Sequence, residues 1–225
     1  MKFTFIALIL GIFGLTSCQK ENSIPTATAS NYMSLTANSS WTYETTDNVL
    51  NDSSTYTLLS TNSDSTINGK VYHVFTNSGS GNQYYNITGS DYYSFQNLPV
   101  AVSSANIESI YLKDNLAVNG SWQQSFTTTT SGLPLTVNSQ NTITEKNISI
   151  IVNGITYTDV IHVSTSLSAF VSGFPLPAGA IISDIQTYYA KKVGMIKSKY
   201  KISINYGGNA NDIDQTTYLK SSIIK

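Results

Sequence analysis

The stretch Ile196-Lys197-Ser198-Lys199-Tyr200-Lys201-Ile202-Ser203-Ile204-Asn205-Tyr206 decides the fold class. Ile196, Ser198, Tyr200, Ile202, Ile204 and Tyr206 fall on one side of an extended chain, and Lys197, Lys199, Lys201 and Ser203 on the other. That period of two marks a strand with one packed face and one wet face. The lysine row is read as solvated or as guarding a sheet edge, with an anionic surface as the less ordinary partner.

Working outward, three Asn-Gly pairs punctuate the chain at Asn68-Gly69, Asn119-Gly120 and Asn153-Gly154. This dipeptide tolerates the positive φ angles of two-residue hairpin turns. The first pair predicts a hairpin of Ser54 to Ile67 with Lys70 to Thr76, and the third a hairpin of Ile148 to Val152 with Ile155 to Ser164. A faint repeat follows the same order: Asn38-Ser39-Ser40-Trp41 returns as Asn119-Gly120-Ser121-Trp122, and Asn68-Gly69 with Tyr72 returns as Asn153-Gly154 with Tyr157. Tyr84-Tyr85 before Gly89 likewise matches Tyr188-Tyr189 before Gly194. The expectation is an all-β, antiparallel domain over residues 31–225, built from two similar meander halves. A two-sheet β-sandwich is the alternative. Phe170 to Ala180, rich in proline and glycine, reads as a packed loop.

Composition narrows the function. Charged residues make up 11% of the chain and hydrophobic ones 40%, which with abundant Ser, Thr, Asn and Tyr suits β-structure and argues against disorder. All twelve basic residues are lysines, so the guanidinium fork that grips phosphate or guanine is missing and nucleic acid is not an expected partner. Residues 31–118 hold seven acids against two lysines, and residues 119–225 five against eight, which polarises the domain.

The first 17 residues have the form of a targeting segment: Lys2, then a mostly apolar run from Phe3 to Leu15, too short to span a bilayer. Leu15-Thr16-Ser17-Cys18 resembles the lipobox of bacterial lipoproteins, which implies cleavage before Cys18 and lipidation of its thiol. Cys18 is the single cysteine, so the domain forms no internal disulfide and depends on its core. Residues 18–30 read as a lipidated cysteine and a flexible tether. Gln19-Lys20-Glu21 resembles the surface-export signal of Bacteroidota lipoproteins, with Asn22 where a second acid usually stands. The expected location is the outer membrane, anchored by lipid and facing outside, so the membrane is the first partner.

Asn38-x-x-Trp41-x-Tyr43, Asn68-Gly69-x-x-Tyr72 and Tyr188-Tyr189-Ala190 followed by Val193-Gly194-Met195-Ile196-Lys197 resemble a group of uncharacterised Bacteroidota surface lipoproteins. The resemblance implies a strongly curved antiparallel sheet or open barrel and brings no activity with it. Asp64-Ser65-Thr66 resembles the O-glycosylation acceptor of exported proteins of that phylum.

Chemistry is harder to find. His73 and His162 each sit in a strand-like run, without the spacing of a metal site, and no Gly-x-Ser-x-Gly elbow is present. Glu44, Glu108 and Glu145 could serve a glycan hydrolase, which needs two facing carboxylates but no short motif. Asp212-Ile213-Asp214 reads as a polar turn. No cofactor is expected. In Gln83 to Phe95, a three-residue loop at Gly89 to Asp91 would put Tyr85, Ile87, Tyr93 and Phe95 on the packed face and Tyr84 and Tyr92 outside, beside Asn86 and Thr88. Tyr84 and Tyr92 are therefore the candidate ligand-binding residues, suited to stacking on a sugar. The leading expectation is a non-catalytic binding module for a glycan or partner protein. An envelope carrier of acyl chains or small hydrophobic ligands is the alternative, and a hydrolase the third.

Overall fold

Thirteen strands follow one another in the computed structural model, which describes residues 31–97, 106–130, 133–206 and 209–225. They are β1 (Ser40–Asp47), β2 (Asp52–Ile67), β3 (Lys70–Asn77), β4 (Gln83–Thr88), β5 (Asp91–Asn97), β6 (Asn106–Lys113), β7 (Ser121–Thr130), β8 (Leu133–Val152), β9 (Ile155–Val171), β10 (Phe174–Pro175), β11 (Ile181–Ala190), β12 (Gly194–Tyr206) and β13 (Asn209–Ile223). No helix occurs among the described residues. The signal segment and tether, residues 1–30, lie outside them.

All pairings are antiparallel, and the order β6-β5-β4-β3-β2-β1-β13-β12-β11-β9-β8-β7 forms a single sheet that curls into a nearly closed barrel. The open barrel of two meanders is the observed architecture: β1 to β6 make one half, β7 to β13 the other, and the β1–β13 ladder joins them. The sandwich alternative is set aside, since one continuous hydrogen-bonded path carries every strand but the short β10. The unsealed seam lies between β6 and β7, whose backbones do not pair. Two side chains bridge it, Trp122 Nε1 and Gln124 Nε2 both donating to the Ile110 carbonyl at 2.9 and 3.4 Å.

The repeat has a physical content. Asn38 and Asn119 both adopt left-handed conformations, with φ of 67° and 68°. Each sends its chain into a strand whose tryptophan is buried. Trp41 Nε1 donates to the Val193 carbonyl, as Trp122 Nε1 does to that of Ile110, so each ring ties its half to a distant strand or loop. The turn pairs Asn68-Gly69 and Asn153-Gly154 are equally alike, at 51° and 80° against 49° and 79°. The parallel ends at the tyrosines: Tyr72 is fully buried and Tyr157 is half-buried.

The interior is apolar and aromatic. Trp41, Tyr43, Phe75, Tyr92, Leu112, Ile143, Ile161, Ile196 and Leu219 form its centre, and Tyr32 and Met33 enter from residues 31–39 to fill one part of it. The outer wall carries Lys199–Asp184, Lys201–Asp214 and Lys220–Glu44 pairs. This is the reverse of a membrane-spanning barrel, whose outer band is apolar.

Three local expectations are corrected. The lysine row of β12 does not guard an edge, because β12 runs between β11 and β13; Lys199 and Lys201 meet carboxylates on those neighbours, and Lys197 lies over the Tyr188 and Tyr218 rings. Asp212-Ile213-Asp214 belongs to β13, where Asp214 pairs with Lys201 across the ladder. Phe170 to Ala180 is no packed loop: Ser172-Gly173 turns the chain at φ of 50° and 83°, β10 pairs back on β9, and Phe174 stands 76% exposed.

Candidate functional site

The tyrosine hairpin β4–β5 shows how one residue of turn decides what a surface presents. Thr88 pairs with Asp91, so the connection is the two-residue turn Gly89-Ser90, not a three-residue loop, with Gly89 at φ 62°. Because side chains alternate, shortening the loop by one brings Asp91 into the strand and moves Tyr92 to Phe95 to the opposite face. Tyr92 therefore goes inside. It is fully buried, packs edge-on to Tyr32, donates its hydroxyl to Asp114 at 2.8 Å and accepts from the Tyr32 amide at 3.1 Å. Both hydrogen-bonding roles of the phenol are met, which removes the cost of burying it. Tyr92 cannot stack on a ligand from solvent.

Tyr84 stays outside with Asn86 and Thr88, as expected, but its companions are Tyr93 and Phe95. The Tyr84 and Phe95 rings meet edge to face at 6.3 Å, Phe95 leans on Tyr72 at 6.1 Å, and Lys70 Nζ sits 3.3 Å above the centre of Tyr93. Lys70 also pairs with Glu108, which accepts from the Tyr72 hydroxyl at 2.6 Å. Burial works to raise the Glu108 carboxyl, but the hydrogen bonds from Lys70 and Tyr72 outweigh it and hold the group below its ordinary value. Glu108 is thereby kept ionised and its lysine fixed over the ring. The result is an outward patch of half-buried rings on β4 and β5, with a fixed cation and anion beside it. The alternating pattern does mark Tyr93 and Phe95, once the turn is taken as two residues.

The other chemistry-bearing side chains are spread around the wall. Glu44 pairs with Lys220, Glu108 with Lys70, and Glu145 with His162 at 2.8 Å. His162 also reaches Gln186 and stacks on Tyr188 at 4.0 Å. A constellation with no sequence motif appears at the base of the β2–β3 hairpin, where a break in register brings together Ser60, His73 and Asp64. Ser60 Oγ lies 2.9 Å from His73 Nε2, and His73 Nδ1 lies 2.9 Å from Asp64. This is the connectivity of a hydrolytic triad. Yet Ser60 is fully buried, and its hydroxyl donates to the Leu35 carbonyl at 3.1 Å. The group clips residues 34–39 to the wall and presents no nucleophile to a substrate. Asp64 of the glycosylation-like triplet is thus engaged with His73, while Thr66 is exposed. Among the described residues no three His, Cys, Asp or Glu side chains gather as a metal site would require.

Inside the barrel, Tyr32, Met33, Tyr43, Tyr56, Tyr85, Tyr111, Tyr189 and Met195 line most of a cavity of about 120 Å³. Ligand pockets for drug-sized molecules start near roughly 300 Å³. The space is too small for a lipid's acyl chains, so it does not support the acyl-carrier expectation.

No family model and no curated protein matches the chain. Among solved structures, a crystal structure described as that of a putative lipoprotein from Parabacteroides distasonis is similar at 11% identity, covering 85% of this chain and 98% of that one with a TM-score of 0.43. At that level the likeness carries no argument about the site.

Proposed function

We propose that the chain is an exported lipoprotein, held by lipid on Cys18 with its barrel facing outside the cell, and that the barrel binds a glycan without catalysing a reaction on it. The observation that supports the binding reading is the outward patch of Tyr84, Tyr93 and Phe95 beside the Lys70–Glu108 pair. Rings offer apolar faces to the C–H side of a sugar, and the neighbouring charges offer hydrogen bonds to its hydroxyls. A glycan array with the intact lipid-free domain is expected to give hits whose affinity falls about tenfold in Tyr84→Ala and in Tyr93→Ala, the loss of roughly one stacking contact. Tyr92→Phe, altered in the core, leaves those hits in place. Hits unchanged in both alanine variants would exclude the patch.

The anchor has its own test. Cys18→Ser expressed in a Bacteroidota host is expected to take up no alkyne-palmitate label and to leave the membrane fraction, because acyl burial supplies about 0.8 kcal/mol per methylene of the attachment. Protease shaving of intact cells then reports which side of the outer membrane the wild-type barrel faces.

A further inference from the structure

We propose that the tyrosine-lined cavity is a second binding site, taking a small uncharged molecule of about six non-hydrogen atoms whose oxygen accepts a hydrogen bond from the Tyr111 hydroxyl. The inference starts from a polar atom with nothing to do. Tyr111 Oη is buried and has no partner, and it belongs to the cavity wall. Buried hydroxyls are nearly always paired, and a persistent exception calls for a physical account. Two other phenols of the wall are occupied, Tyr43 donating to the Met195 carbonyl at 3.0 Å and Tyr85 to Gln83 at 2.8 Å, and Tyr111 is the one whose buried oxygen is left over among the described residues.

The backbone is bent to put Tyr111 there. Tyr92 pairs with Leu112 and Tyr93 with Ile110, which leaves Tyr111 as the extra residue of a β-bulge. Its ring meets Tyr85, Tyr92 and Tyr189, all interior. Bulges re-aim side chains at the cost of a ladder pairing, and they recur beside functional sites.

The lining fixes the class of ligand. No Asp, Glu, Lys or His is on the wall, so an ion would be buried without a counter-charge. Burial, with the neighbouring phenols adding to it, holds the Tyr111 hydroxyl well above its ordinary range, which keeps it a neutral donor. Aromatic faces and the thioethers of Met33 and Met195 supply the apolar remainder. In volume, the cavity of about 120 Å³ compares with engineered cavities of about 150 Å³ that admit benzene.

Cyclopentanone is a suitable probe, with cyclopentylammonium as the charged control. Met33 and Met195 are the two methionines after the signal segment, so methyl NMR of the intact domain reads both cavity sulfurs without ambiguity. The expected result is a saturable shift of both methyl signals with cyclopentanone at roughly millimolar concentration and none with the amine. Tyr111→Phe, which removes an oxygen that has no partner, is expected to keep the melting temperature and methyl dispersion while weakening cyclopentanone about fivefold. Absence of saturable shifts, equal response to the amine, or unchanged affinity in Tyr111→Phe would overturn the proposal. A lowered melting temperature in that variant would do the same, since it would show the hydroxyl already satisfied by ordered water.

Discussion

Replacing Trp41 with alanine is expected to lower stability by about 3–5 kcal/mol, a large share of the roughly 5–15 kcal/mol that holds a domain of this kind together. The ring is fully buried, lies 5.8 Å from Phe75, and donates its indole N–H to the Val193 carbonyl at 2.5 Å. Truncation removes one of the two tryptophans of the core, opens a cavity and orphans a carbonyl at the β11–β12 turn. Urea unfolding followed by far-ultraviolet circular dichroism measures the loss. Trp41→Phe retains most of the volume and loses the hydrogen bond, so it should cost about 1–2 kcal/mol. An alanine variant as stable as the wild type would mean that the halves do not depend on this contact.

The second large effect is expected two residues before Ile196. Gly194 has φ of 102°, and a Cβ there would lie 3.2 Å from Met33 Sδ and 3.5 Å from the Tyr32 carbonyl. Gly194→Ala therefore combines backbone strain with a tight contact on Met33, whose sulfur must give by a few tenths of an ångström, for a cost of about 2–4 kcal/mol. Gly69 separates the two terms, because it has φ of 80° and nothing within 4 Å of its Cβ position. Gly69→Ala should cost about 1 kcal/mol, the strain alone. Equal costs at the two sites, read from the same unfolding curves, would show that Met33 yields freely.

What the sequence makes legible follows from how local each signal is. The alternation from Ile196 onward depends on one strand and one water-facing side, and the structure keeps it: Ile196 and Ile202 are buried while Lys201 is exposed. The Asn-Gly hairpins are equally local, since the dipeptide itself supplies the turn geometry. The Gly89-Ser90 turn is not legible in that way. Gly89-Ser90 and Gly89 to Asp91 both suit a tight connection by composition, and choosing between them reverses Tyr92 and Tyr93. The core settles it, because Asp114 and the Tyr32 amide complete the Tyr92 hydroxyl only from inside. Ser60, His73 and Asp64 leave no motif, as a register break in the β2–β3 ladder brings them together. The joining of the two halves escapes a local reading for the same reason. Ser40 meets Ile223, two residues at opposite ends of the domain, and no short pattern announces their contact.

That last pairing sets an order of assembly. Apart from the β1–β13 and β9–β11 ladders, every pairing joins consecutive strands, so both meanders can grow hairpin by hairpin. The two halves join by one event, in which Thr45 comes to hydrogen-bond Thr217 at a separation of 172 residues. Contacts of that range make folding slow, since the chain is ordered over its length before they form. Synthesis delivers β13 after the other twelve strands. Until then β1 carries Trp41 and Tyr43 along an unpaired edge, a template for joining another chain. The interval between completing β12 and docking β13 is therefore when this protein is most exposed to aggregation, and a chaperone that shields β1 would act there.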